Sequence, residues 1–398
     1  MLLKLQITYI LKISMKTWQK LRQFLTTDFG VCLTIVIAWQ CVLTLIGWIV
    51  TGGLPLAHMS NWDGGWYLTV ARDWYHTSAP SAAFYPLFPL LVSVVHFAGF
   101  GLLSLNASGF IINTLALWLG LVALVKIAPY FVAKRYQYLP VLFILAAPAA
   151  FFMHLFYTEA VFFCISAWAY LLALQRRWWV ASIMLALLTA CRLPALLIIG
   201  LCILEYLRAH DWNMKRALNK NAYAFLLAPA GFIAYGAYLT VARGSFFAMF
   251  SAYHASDDWV YQVFNPNILL TIARALYQPL RALLGLRDFD HELVVNNIIP
   301  LLALALLATT SVYAVVKLKK KFLPLGIIGL LSIVMFTLNS NVVSAHRYIL
   351  PSLVIYLVGA YIFEKHKKTH PYIIVGVCLS FLVQAFLYIS FLQGKFAG

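Results

Sequence analysis

A carboxylate set between aromatic rings is the first residue here that could do chemistry. Asp63 stands in Asn61-Trp62-Asp63-Gly64-Gly65-Trp66-Tyr67. Beside a substrate hydroxyl, such a group takes up its proton as general base, a role contributing about 10²–10⁴-fold. Gly64 and Gly65 leave room for a ligand to approach the backbone. The structural alternative is that Asp63 is the N-cap of the helix that follows. Phe84-Tyr85-Pro86-Leu87-Phe88-Pro89 is a rigid aromatic turn, either the wall of a lipid groove or a simple interfacial turn. Trp62, Trp66, Tyr67, Arg72 and Tyr85 are the candidate substrate contacts of this stretch.

Three further sets carry charge into apolar surroundings. His154, Tyr157, Thr158 and Glu159 follow Pro148 at a helix junction. An ionisable residue at membrane depth is a functional candidate by default, although Glu159 could equally cap a helix starting at Ala160. Arg192 lies between two short apolar runs in Thr189-Ala190-Cys191-Arg192-Leu193-Pro194. Its planar set of donors suits a phosphate, or a salt bridge to Glu159; one Arg can serve both. His346-Arg347-Tyr348 follows Asn339-Ser340-Asn341. Arg347 is a second phosphate candidate, the alternative being an Arg that snorkels to the surface. Asp288, Asp290, His291 and Glu292 could hold a divalent cation, though a solvated surface is the plainer reading, as it is for Asp257-Asp258. No metal and no other cofactor is expected. The six cysteines lie in apolar runs without metal-ligand spacing, so neither a zinc site nor a disulfide frame is expected.

The elements that must position these residues follow from composition. Of 398 residues 63% are hydrophobic and only 10% charged, against about 25% charged in a soluble domain. A soluble enzyme, a disordered chain and a secreted disulfide scaffold are excluded. The chain reads as a single-domain, all-α polytopic membrane protein. The net charge of +17 reports topology rather than nucleic acid, because cytoplasmic loops collect Lys and Arg. The run Val31 to Val50 is too long for a signal-peptide core and reads as a retained first helix behind a basic N-terminus.

About eleven segments read as crossings: roughly 30–50, 106–126, 138–152, 160–175, 178–190, 193–208, 222–242, 296–316, 322–339, 349–363 and 371–391. If apolar segment 84–103 stays on the outer side, 21 of the 29 basic residues fall inside and eight outside. The inner side then carries +17 and the outer side zero; letting 84–103 cross destroys this asymmetry. Two outer loops result, 51–105 and 243–295. Trp62, Trp66, Val70 and Trp74 at near-helical spacing predict an interfacial helix in the first. Arg274, Gln278 and Arg281 against Leu and Ile predict another over 267–286.

At this point the motifs resemble a known family. Trp62-Asp63-Gly64-Gly65-Trp66-Tyr67-Leu68-Thr69-Val70-Ala71 with Phe84-Tyr85-Pro86-Leu87-Phe88-Pro89-Leu90 is similar to the first outer loop of the PIG-V mannosyltransferases, members of the GT-C membrane glycosyltransferases. Ala147-Pro148-Ala149-Ala150-Phe151-Phe152 through Tyr157-Thr158-Glu159-Ala160, and Thr189-Ala190-Cys191-Arg192, resemble two further blocks. Thr158 and Ala160 stand where the family has Ser, and Leu193-Pro194 where it has small or polar residues. The resemblance implies a GT-C-like bundle with interfacial helices in the first outer loop. It implies an inverting transfer from a polyprenyl-phosphate sugar to a glycolipid, glycan or protein acceptor. Asp63 would be the base, and Arg192 and Arg347 would hold the donor phosphate. The expected setting is a lipid bilayer, a bacterial cytoplasmic membrane with the site facing outward, and no nucleic acid. A transporter would show paired broken helices in two matching halves, which this sequence lacks. A polysaccharide polymerase or ligase working through 243–295 would not depend on Asp63.

Overall fold

The computed structural model describes residues 22–76, 79–254 and 265–398. Four of the N-terminal basic residues (Lys4, Lys12, Lys16, Lys20) and the pair Asp257-Asp258 lie outside them. Every regular element among the described residues is helical. The first long helix is α1 (Asp28–Thr51). The segment after it folds into α2 (Asp63–Asp73) and α3 (Leu87–Ala98). Next come α4 (Leu105–Tyr130), α5 (Leu139–Ala146), α6 (Glu159–Leu174), α7 (Trp178–Thr189), α8 (Ala195–Ala209) and α9 (Ala222–Arg243). The chain ends in α10 (Ile268–Leu283), α11 (His291–Leu318), α12 (Lys320–Thr337), α13 (Leu353–Lys365) and α14 (Lys367–Leu392).

Six of these, α1, α4, α9, α11, α12 and α14, are long and apolar enough to cross a membrane. The protein is an all-α polytopic membrane protein. Each of the eleven apolar segments expected to cross contains a helix, but α5 to α8 and α13 have only 8 to 16 residues. At 1.5 Å per residue they reach about 12–24 Å, less than a hydrocarbon core of about 30 Å. If Arg176 and Arg177 hold the α6–α7 turn at the inner side, the far ends of both helices stop below the outer rim. Glu159 and Arg192 sit at those ends.

The helix boundaries have local causes. Thr27 accepts the Gly30 N–H at the start of α1, and Gly52 ends it at φ 71°. Ser104 accepts from Ala107 before α4, and Asn267 from Leu270 before α10. Asp290 accepts from Leu293 at 2.7 Å and starts α11. The cap that was the structural alternative for Asp63 is not formed. Trp62 occupies that position at φ 57° with no side-chain bond, and Asp63 is the first helical residue. The buried face of α2 is Gly64, Tyr67, Val70 and Ala71, not the Trp stripe. Helix α3 has twelve residues, packs on α2 and α4, and is tied down by Ser93 donating to the Ala71 carbonyl at 2.7 Å. The exposed Leu269, Leu276, Leu280 and Leu283 of α10 form the apolar face expected of an interfacial helix.

Between α5 and α6 the chain leaves regular helix over 147–158. Unsatisfied backbone groups at this depth are tolerated only when protein supplies their partners. Two polar residues within apolar helices do so. Asn113 of α4 donates to the carbonyls of Leu155 and Tyr157. Gln384 of α14 donates to the Leu145 and Ala147 carbonyls at 2.8 and 2.7 Å.

Cysteine labelling checks the threading. Single cysteines at Arg72 and Leu102, on either side of α3, are expected to react with an impermeant reagent from the outside. Lys134→Cys is expected to react only after permeabilisation. Labelling of Leu102→Cys from the inside alone would show that α3 crosses.

Candidate active site

Four charged side chains from four separate parts of the chain meet beside one cavity. Arg347, on the one-turn helix Ala345–Tyr348 between α12 and α13, is at the centre. Its Nη2 donates to Asp63 Oδ2 at 2.7 Å and its Nη1 to the Gly398 carbonyl at 2.9 Å. Its Nε lies 3.2 Å from Glu159 Oε1, an ion-pair contact without hydrogen-bond alignment. Arg192 Nη1 donates to the same Glu159 oxygen at 2.6 Å. Glu159 does not act as a cap; its carboxylate bridges two guanidiniums, and its Oε2 has no hydrogen-bond partner.

Burial separates the roles of these groups. The Glu159 and Arg347 side chains are 1% and 4% exposed, Arg192 is 14% exposed and Asp63 35%. Removing one partner of a buried pair is strongly destabilising, because the charge left behind has no water to solvate it. Rings add support: Arg347 lies over Phe152, Tyr157 and Tyr348 at 5.1–5.4 Å, and Arg192 over Tyr348 at 5.2 Å. Two acids and two bases make the cluster neutral.

Asp63, Arg192 and Arg347 line a cavity of about 150 Å³ with Tyr67, Phe84, Tyr85, Tyr253, Leu338, Asn339 and Tyr348. The Tyr67 hydroxyl lies 3.5 Å from Thr158 Oγ1, and burial raises its pKa. The Tyr85 hydroxyl is buried without a hydrogen-bond partner, leaving it for a ligand. Pro194, Phe336 and Tyr348 also line an adjoining narrow apolar groove of about 30 Å³ between α8, α12 and α13, with Leu197, Ile198, Leu201, Leu325 and Ile328. From Pro194 to Leu201 the groove follows α8 for about 10 Å.

The other candidates fall outside the cavity lining. Trp62 is exposed and edge-on to Phe396, and Trp66 stacks on Phe84. Tyr157 lies beneath Arg347 and donates to the Asn61 carbonyl at 2.8 Å, so it supports the Asp63 loop. Arg72 is exposed and paired with Asp73 at 2.8 Å. His154 is buried among Trp39, Phe110 and Tyr388, with neither ring nitrogen partnered. His346 faces the Ala397 carbonyl at 3.2 Å. Gly64 is closely packed: a Cβ there would stand 3.1 Å from the Tyr157 ring. In the 288–292 cluster, Asp290 is engaged with Leu293 and Arg287, and no three metal-ligating side chains converge among the described residues. Sequence reasoning missed Tyr253, Asn339 and the contribution of residues 396–398. Asn339-Ser340-Asn341 signalled the helix break, but nothing in 243–254 marked Tyr253.

Comparison of the sequence with protein-family models and with curated proteins gives no match. Among solved structures, one that superposes on it is the Archaeoglobus fulgidus oligosaccharyltransferase complexed with zinc and sulfate. Its TM-score is 0.49 and its identity 14%, over 94% of this chain and 53% of that one. The chain therefore spans about half the length of the structure it matches.

Two measurements check the electrostatics. Glu159→Gln leaves two guanidiniums facing the one carboxylate of Asp63 and is expected to lose about 3–5 kcal/mol of stability, read by unfolding in detergent. Asp63→Asn, at a partly solvated site, is expected to lose much less. Burial, with Arg347 adding, pushes His346 down from 6.5 to about 4. The unfolded chain then protonates first, so this contribution to stability is present above pH 6.5 and is lost as pH falls toward 4. His346→Gln is expected to flatten that part of the stability profile.

Proposed function

We propose that this chain is a membrane glycosyltransferase of the GT-C kind. It moves a sugar from a polyprenyl-phosphate donor to an acceptor hydroxyl, with inversion, at the outer face of the membrane. The observation that carries the reading is one cavity lined by a partly exposed carboxylate and two guanidiniums, adjoining an apolar groove. The three motif blocks that resemble the PIG-V mannosyltransferases supply Asp63 and Arg192 of these, so mannose is the first sugar to try.

In this reading the donor's lipid lies along α8 and its phosphate meets Arg192 and Arg347. The acceptor oxygen attacks the anomeric carbon from the opposite face, and its proton passes to Asp63. The bond from the anomeric carbon to the phosphate oxygen breaks, and its electron pair leaves with the phosphate. Charge is conserved within the cluster: Asp63 loses one negative charge as the leaving phosphate gains one. Arg347, bonded to Asp63 in the free protein, is placed to follow that shift toward the phosphate. Tyr85 offers its unpartnered hydroxyl to the sugar. The acceptor is a glycolipid, a glycan or a protein, and no cofactor takes part in these steps.

The test is transfer by purified protein in detergent, with polyprenyl-phosphate mannose and glucose as donors and total lipid extract as acceptor. Asp63→Asn is expected to lower donor consumption by about 10²–10⁴-fold. Leu197→Trp, which fills the groove, is expected to raise KM for a long-chain donor and to spare a short-chain analogue. Wild-type inactivity on every donor, with an intact fold, would favour a polymerase or transporter. Full activity of Asp63→Asn would remove Asp63 as base.

A further inference from the structure

Residues 393–398 reach the cluster by a turn written into their sequence. Gly394 takes φ +80° just beyond α14. Its N–H donates to the Phe391 carbonyl at 3.0 Å, and the Lys395 N–H donates to the Ser390 carbonyl at 2.9 Å. This is the paired bonding of a Schellman stop, for which glycine is the fitting residue. The chain then folds back across the bundle. The Phe396 ring meets Trp62 edge-on at 5.3 Å, one residue before Asp63. Ala397 is buried, its carbonyl 3.2 Å from His346 Nε2. Gly398 sets its carbonyl on Arg347 Nη1 and is itself tightly enclosed: a Cβ there would stand 2.7 Å from His346 Nε2 and 3.2 Å from the Phe152 ring. Nearby, Asn61 donates to the Phe391 carbonyl at 3.0 Å, anchoring the same loop to the end of α14.

We propose that 393–398 is a positioning strap for the candidate active site, fixing both Arg347 and the loop that delivers Asp63. The inference rests on the reading that these two residues carry the chemistry. Geometry separates a strap from a plug. Nη1 meets Gly398 while Nη2 meets Asp63, and none of residues 393–398 lines the cavity. The segment therefore grips the guanidinium from behind and leaves the substrate side open. The fork geometry of Arg makes a bond at one nitrogen set the direction of the others.

Gly398→Val places methyl groups against His346 and Phe152, and Phe396→Ala removes the Trp62 contact by a gentler route. Both would be compared with wild type by hydrogen exchange and by transfer kinetics. In each variant exchange is expected to rise at 394–398 and also at 61–66. The kcat is expected to fall about 10- to 100-fold, while KM for the donor changes less than about threefold because Arg192 is untouched. Tm is expected to stay within a few degrees in Phe396→Ala. Release of 394–398 with unchanged exchange at 61–66, or with unchanged kcat, would overturn the strap. A wild-type protein inactive on every donor would overturn the glycosyltransferase reading instead. The strap would then stand or fall on whether exchange at 61–66 follows release of 394–398.

Discussion

Two guanidiniums inside an apolar bundle must be neutralised by protein, and most of the site's architecture follows from that need. Glu159 answers it at the first turn of α6, with one oxygen shared between Arg192 and Arg347. Arg192 must therefore reach Glu159 from the α7–α8 connection, and Arg347 from the α12–α13 connection. Helices α7 and α8 beside the first connection, and α13 beside the second, are short. Asp63 is the least buried of the four and balances the remaining charge.

A second constraint concerns backbone rather than charge. The stretch 147–158 brings Phe152, Tyr157 and Glu159 to the cluster without being a continuous helix. Its carbonyls are held by Asn113 and Gln384, from opposite ends of the sequence. These two amides look misplaced within apolar helices until their partners are seen. They let the bundle carry irregular chain at depth, and that irregular chain carries the acid and the aromatic platform under Arg347. Tyr157 joins the two constraints, placing its ring below the guanidinium and its hydroxyl on the loop before Asp63.

Composition and charge asymmetry made the class legible, and all eleven apolar runs contain helices. Asp63, Glu159, Arg192 and Arg347 were legible because charge is rare in this chain, so each charged residue at a helix end called for a partner. The Glu159–Arg192 pair could be read as an alternative because both stand beside the same short helices. What stayed hidden was direction. Spacing placed Trp62, Arg72, His154 and His346 near the right elements but did not say which way their side chains point; one faces Phe396, one pairs with its neighbour, and two turn into packed interior. Hidden too were contacts between segments far apart in sequence. Nothing local to residues 394–398 says that they return to Arg347.

The shared Glu159 oxygen also bears on how such a chain is made. Glu159 and Arg192 are 33 residues apart, one at the start of α6 and the other in the α7–α8 connection. As synthesis proceeds they leave the ribosome close together and enter the bilayer as a self-neutralising pair. Arg347 follows 155 residues later, and Gly398 51 residues after that. The early half of the protein can thus rest in the membrane without a stranded charge, waiting for the cation that completes its centre. Arg347 and residues 393–398 are synthesised after both carboxylates and Arg192.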